Sequence, residues 1–116
     1  MPLTALTVTT SSRVTPPVLP TSGGTAADPT NFNSFANDGN TLVLVTNNDG
    51  SVTRNVTVPV PVSVDGTQTV TSRTHAIPIT QCWVFGPYPV AIYGSTVEFR
   101  GDNANLKFNV VRPGLT

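Results

Sequence analysis

Thr41-Leu-Val-Leu-Val-Thr-Asn47, then Asn48-Asp49-Gly50-Ser51, then Val52-Thr-Arg-Asn-Val-Thr-Val58 is the stretch on which the reading of this chain turns. The first run is short, apolar and β-branched, as a strand requires. Asp49-Gly50 supplies residues that tolerate the positive φ of a tight turn. The second run alternates, with Val52, Val56 and Val58 on one face and Thr53, Asn55 and Thr57 on the other. Arg54 interrupts the apolar face, which predicts a rim or edge position there. The expectation is an antiparallel β-hairpin over 41–58.

The composition of the chain extends this reading. Its 116 residues include 19 Thr, 17 Val, 11 Pro, 10 Asn and 9 Gly, but one Glu, one Lys and two Gln. Straight-chain helix formers are nearly missing and β-branched residues dominate, so an all-β domain is expected. Val58-Pro-Val-Pro-Val62 removes two ladder donors and reads as an edge strand or polyproline-like crossing into an Asp65-Gly66 turn. Thr67 to Thr74 carries one apolar residue, Val70, and reads as a surface strand or loop. In Ala76–Phe85, Ile77 and Ile79 and then Cys82 and Val84 alternate with a phase shift that predicts a bulge near Thr80-Gln81. Gly86-Pro87-Tyr88-Pro89 is a rigid turn, and Val90-Ala-Ile-Tyr93 continues as strand. A last hairpin is predicted, with Val97 and Phe99 inward, a turn at Gly101-Asp-Asn103, then Leu106, Phe108 and Val110 inward. Lys107 would face Glu98 across it. Six or seven short strands at this spacing predict an antiparallel β-sandwich, with a small barrel as the alternative.

Residues 1–34 differ from the sandwich domain expected over 35–116. Pro2, Pro16, Pro17, Pro20, Pro29 and the Gly23-Gly24 pair interrupt every run before a central strand could form. Such a segment is either a loose terminus or an extended arm that adds main-chain hydrogen bonds to a neighbouring chain. Its spaced apolar residues Leu6, Val8, Val14, Val18 and Leu19 favour the arm, because flexible linkers carry few such anchors.

Charge and chemistry narrow the function classes. Six basic residues balance six acidic ones, and only 10% of the chain is charged against about 25% in an average protein. Neutrality leaves no electrostatic footprint for nucleic acid or an anionic membrane surface. One cysteine, Cys82, allows no internal disulfide and no multi-Cys zinc site, and it is expected to be buried and inert. No basic start followed by an apolar run predicts a signal peptide, so synthesis in a cytoplasm is expected. His75 and Cys82 would lie on opposite faces of one strand, which excludes a Cys–His pair. Asp28, Asp38, Asp49, Asp65 and Asp102 all sit beside turn residues, where Asp bonds its own backbone. No nucleotide, metal or nucleophile motif is present, so no enzyme, cofactor or metal is expected. Trp83, Phe85, Tyr88 and Tyr93 gather around the Pro-rich turn. They form either an aromatic cluster at the core edge or a platform for sugars or a protein hot spot.

Phe35-Ala-Asn-Asp-Gly-Asn-Thr-Leu-Val-Leu-Val-Thr-Asn-Asn48, Val84-Phe-Gly-Pro-Tyr-Pro89 with Tyr93, Val97-Glu-Phe99 and Val110-Val-Arg112 together resemble a group of small β-sandwich virion proteins of tailed bacteriophages. The resemblance covers about two-thirds of the chain, and 59–82 has no counterpart in it. It implies a head decoration protein on the capsid surface of the virion, with the major capsid protein as partner and self-association as a dimer or trimer on the lattice. Arg13, Arg54 and Arg73 would then meet acidic capsid residues, or remain solvated charges. A head–tail connector, neck or tail subunit is the alternative, and a carbohydrate-binding module using Trp83, Tyr88 and Tyr93 is a second.

Overall fold

The computed structural model describes residues 3–14, 16–19, 23–61, 63–64, 68–69 and 72–114. The strands are β1 (Thr4–Ala5), β2 (Val8–Thr10), β3 (Thr25–Ala26), β4 (Asn33–Ala36), β5 (Leu42–Asn47), β6 (Arg54–Val58), β7 (Ser63–Val64), β8 (Gln68–Thr69), β9 (Arg73–Ile77), β10 (Cys82–Phe85), β11 (Thr96–Gly101) and β12 (Leu106–Arg112), with one helical turn, α1 (Val90–Tyr93). One sheet has the order β1-β4-β11-β6-β9 and the other β10-β5-β12-β2, with β3 also paired to β12. The two sheets pack face to face as an all-β sandwich. β7 and β8 form a separate antiparallel pair. The Asp65-Gly66 turn expected between them lies outside the described residues.

β4, β5 and β6, and again β9 to β12, alternate between the two sheets, and this overturns both expected hairpins. β5 pairs with β10 and β12, whereas β6 pairs with β9 and β11. Residues 41–58 therefore form an arch over the end of the sandwich. Likewise β11 lies between β4 and β6 while β12 lies against β5, so 96–112 is a second arch. Glu98 consequently stands opposite Ser34 and ion-pairs with Arg100, and Lys107 stands opposite Thr46 and Ala26 on the other sheet. The bulge expected near Thr80-Gln81 is a third crossing, because β9 and β10 belong to different sheets. Thr80 turns the chain there with φ of 58°.

Side chains in the loops explain why arches form instead of hairpins. Asn47 is fully buried, and its amide donates to the carbonyls of Val52 at 3.1 Å and Ile77 at 2.9 Å. Its carbonyl oxygen accepts the N–H of Asp49 at 2.9 Å. Asp49 in turn accepts the N–H groups of Ser51 and Val52, the guanidinium of Arg54 at 2.7 Å and the amide of Asn105 at 3.2 Å. Two of the three arches are thus tied to one carboxylate, and Asn47 reaches the third through Ile77. A two-residue hairpin would leave these groups without the partners they have here.

This knot predicts acid sensitivity. The N–H of Ser51 and the Arg54 guanidinium hold the Asp49 carboxyl far below its ordinary 3.8. Asp28 and Asp38 are also lowered, chiefly by the N–H groups of Asn31 and Asn40 respectively. A carboxyl whose folded pKa is depressed stabilises the fold above its unfolded pKa, and that stabilisation fades as pH falls toward the folded value. Stability should therefore be flat with respect to these groups above about pH 5 and drop progressively below it. Urea midpoints measured from pH 6 downward should show this slope, and Asp49→Asn should flatten it while lowering the neutral-pH midpoint.

The N-terminal segment joins its own sandwich for part of its length. β1 runs parallel to β4, β2 runs parallel to β12, and β3 lies antiparallel on the same edge of β12. Leu6 and Ala27 are buried in the core, and Val8 packs against it. Asp28 fixes the return by accepting the Thr4 hydroxyl and the N–H groups of Thr30 and Asn31. Gly24, at φ +114°, passes so close to β12 that a Cβ would stand 2.3 Å from the Phe108 carbonyl oxygen. The expected neighbour-binding arm thus uses its main chain at 4–5, 8–10 and 25–26 within its own chain. The boundary expected at 34/35 falls inside β4. Removing residues 1–30 would strip three strands and two core residues, so it would not leave the sandwich intact.

The core is aromatic at its centre. Val56, Val58, Val97, Phe99, Leu106, Phe108 and Val110 point inward as the alternation predicts, joined by Phe35, Val43, Val45 and Ile77. Val52 is 43% exposed, because the chain is still in the arch at that point. Val90–Tyr93 is a helical turn rather than a continuing strand, with the N–H groups of Tyr93 and Gly94 bonded to the carbonyls of Pro89 and Val90. Proline at 87 and 89 removes two ladder donors directly after β10, so the strand is not extended into that segment.

Candidate functional site

At the end of the sandwich away from the Asp49 knot, an open cleft of about 780 Å³ lies between β9 and β10. Its walls come from both strands, the end of β6, the Gly86–Pro89 turn and α1. The register of β10 against β5 sets which side chains enter it. Trp83 stands opposite Val45 and Phe85 opposite Val43, both of which are core residues, so the two rings face inward. Cys82 and Val84 take the other face, and Cys82 is exposed rather than buried as expected. His75 is on β9 and stacks edge-on against Phe85 at 5.1 Å. It therefore lies on the inner face of one sheet, while Cys82 lies on the outer face of the other.

The turn that closes the cleft is built from glycine, proline and one buried amide. Gly86 has φ of +103° and precedes a cis peptide to Pro87; a Cβ there would lie 3.0 Å from the Thr41 carbonyl oxygen. The Asn37 side-chain amide donates to the carbonyls of Tyr88 and Gly94, both at 3.0 Å, and its oxygen accepts the Gly39 N–H. This one residue therefore ties the cleft's wall to the loop between β4 and β5. Tyr88 and Tyr93 meet edge-on at 4.8 Å, and Tyr88 packs on Phe99 at 5.8 Å. Burial, followed by the neighbouring Tyr93, pushes the Tyr88 phenol well above its ordinary value, so it stays neutral at any physiological pH.

The structure brings together two sets of residues that the sequence kept apart. All four of Trp83, Phe85, Tyr88 and Tyr93 line the cleft, and Arg73 joins them from β9. Phe85, Tyr88 and Tyr93 are each only 8% exposed, so their rings belong chiefly to the core. Trp83 is half-buried, and its indole N–H is already bonded to Gln81 at 3.0 Å. A sugar-stacking face would need open ring faces, and of the four only Trp83 is not buried.

The other candidate contacts are scattered. Arg54 is held by Asp49 at the opposite end. Leu6 and Val8 belong to the sandwich, while Arg13 is exposed. Val14 and Val18 are 76% and 91% exposed on the segment between β2 and β3. Leu19 is half-buried beside Pro16, Pro17, Leu44 and Val111 in a small groove of about 310 Å³.

Sequence reasoning missed His75, Val58 and Val60 as cleft residues and Asn37 as the tie that shapes it. His75 had a usable signal, since it and Arg73 sit two and four residues before the inward Ile77 on one strand face. Among the described residues, no three His, Cys, Asp or Glu side chains converge as a metal site would need, and no helix is long and apolar enough to cross a membrane. No protein-family model, curated protein or solved structure matches this chain.

Proposed function

We propose that this chain is a structural subunit of a tailed-bacteriophage virion that decorates the outer capsid lattice and braces it, with the major capsid protein as its partner. The observation that carries the reading is the loop between β2 and β3. Val14 and Val18 stand almost fully in solvent there, on a stretch stiffened by Pro16 and Pro17 and anchored at both ends by pairing to β12. Exposed apolar side chains beside two prolines, which fix their own φ, suit contact with another protein, because less conformational freedom is lost on docking. The loop is the part of the expected arm that remains available to a neighbour.

Two further features support this reading. The residues that carry the phage resemblance are structural: Asn37 and Asn47 tie loops, Phe35 and Phe99 fill the core, and Gly86-Pro87 turns the cleft wall. A shared scaffold of that kind leaves the surface loops to carry the docking. Zero net charge also lets many copies crowd on one lattice without mutual repulsion.

Copy number in purified virions tests the proposal directly. Gel densitometry against the major capsid protein should give a ratio of about one to one or about one to three, as repeated lattice sites require. A count of about six or twelve, the symmetry of a ring, would move the subunit to the neck. Absence from particles would overturn the virion reading. The double variant Val14→Asp/Val18→Asp should lose decoration of undecorated shells while its Tm stays within about 2 °C of the parent, since neither side chain is packed.

A further inference from the structure

We propose that the cleft between β9 and β10 binds an extended peptide segment that presents a carboxylate side chain and, two residues along on the same face, a large apolar one. The inner face of β9 runs from Ile77, fully buried, through His75, half-buried, to Arg73, exposed. Alternation calls for apolar residues at these positions, yet the two that line the cleft are a guanidinium and an imidazole. No Asp or Glu is among the described residues that line it, and Arg73 makes no ion pair among the described residues. An always-charged donor beside an aromatic wall therefore faces the cleft without a counter-charge among the described residues. A carboxylate completes it, and Trp83 and Ile92 supply the apolar surface that the second side chain would cover.

The strand edges select a peptide over a small acid. β9 ends one sheet and β10 ends the other, so among the described residues each has one main-chain edge without a ladder partner. The cleft opens between those two edges. An extended segment can add to either strand through main-chain hydrogen bonds while its alternate side chains enter the cleft. A volume of about 780 Å³ lies within the roughly 300–1,000 Å³ span of ligand pockets, enough for more than one side chain. A small aryl acid would reach Arg73 and the rings but make no use of the edges.

The full chain can be tested alone, so the outcome does not depend on the decoration reading. Trp83 is the only tryptophan, and its fluorescence reports on the cleft directly. The probes are an acetylated, amidated peptide Thr-Val-Asp-Thr-Phe-Val-Thr, in which Asp and Phe share one strand face, the same peptide with Lys in place of Asp, and 3-phenylpropionate. The acidic peptide should bind, shift the Trp83 emission and perturb the backbone amides of β9 or β10 in NMR spectra. The lysine peptide should bind at least about tenfold more weakly, as expected when a charge-assisted pair is replaced by like charges. Arg73→Gln should abolish that discrimination with no loss of Tm. Equal binding of the two peptides, no binding, or an unchanged preference in Arg73→Gln would overturn the proposal. Binding of 3-phenylpropionate as tight as that of the acidic peptide would also overturn it and make the cleft a small-acid pocket.

Discussion

Phe99→Ala should lower the unfolding free energy by about 3–5 kcal/mol, the usual cost of emptying a buried aromatic site. For a domain of this size that corresponds to a Tm loss of roughly 10–20 °C. Phe99 is fully buried, and its ring centroid is 5.8 Å from each of Phe35, Phe85, Tyr88 and Phe108, edge-on to all four. Two of those partners come from β10 and β12 on the facing sheet, so the ring joins the two layers. No small movement of either sheet can fill the space it leaves, because Phe35, Phe85 and Phe108 are held by strand pairing and Tyr88 by the Asn37 amide. Urea unfolding of Phe99→Ala and Phe99→Leu should show a clearly smaller loss for leucine. A loss below about 1 kcal/mol in the alanine variant would mean that the two sheets do not meet around this ring. The cleft should loosen along with stability, since Tyr88 and Phe85 rest on Phe99.

Asn47→Ala should cost about 2–4 kcal/mol through a different mechanism, the loss of partners for buried backbone groups. The side chain is fully buried, and its removal strips the carbonyls of Val52 and Ile77 and the N–H of Asp49 of their bonds. Asn47→Asp should not rescue the fold. A carboxylate can still accept the Asp49 N–H with one oxygen, but it turns the other, an acceptor, against two carbonyl oxygens and adds charge beside Asp49. Asn55→Ala, at an exposed position, should change stability by less than about 0.5 kcal/mol and serves as the control. Chemical denaturation of the three variants checks the ranking. An Asn47→Ala loss no larger than that of the control would show that the arches hold without this amide.

The contrast between Phe99 and Asn47 marks what could be read from the chain in advance. The inward positions of β11 and β12 and the pair Val56 and Val58 were legible, because a strand's side chains alternate whatever strand lies beside it. The direction of Trp83, Phe85, Cys82 and Val84 was not, since the phase shift read at Thr80-Gln81 grouped Cys82 and Val84 with the inward positions. One residue of phase flips a whole strand, and the crossing at 78–81 leaves Ile77, Trp83 and Phe85 all facing inward. The aromatic cluster was legible as a group around the Pro-rich turn. Its burial and its meeting with Arg73 and His75 were not, because β9 and β10 come together only at the open side of the sandwich.

What the amino-acid sequence determined alone is the β class, the aromatic and valine core of the later strands, the turn at Gly86-Pro87 and the change of direction at Asp102-Asn103. These follow from local properties: β-branched bulk, two-residue alternation and the special backbone freedom of glycine and proline. Only the tertiary structure decided which strands pair, that the N-terminal segment adds edges to its own sheets, and that one cleft gathers residues from 58 to 93. The physical reason lies in the loops. Asp49-Gly50 suits a hairpin by its own conformational preference. The arch prevails because Asn47, Asp49, Arg54 and Asn105 satisfy one another across three crossings that meet only when both sheets are in place.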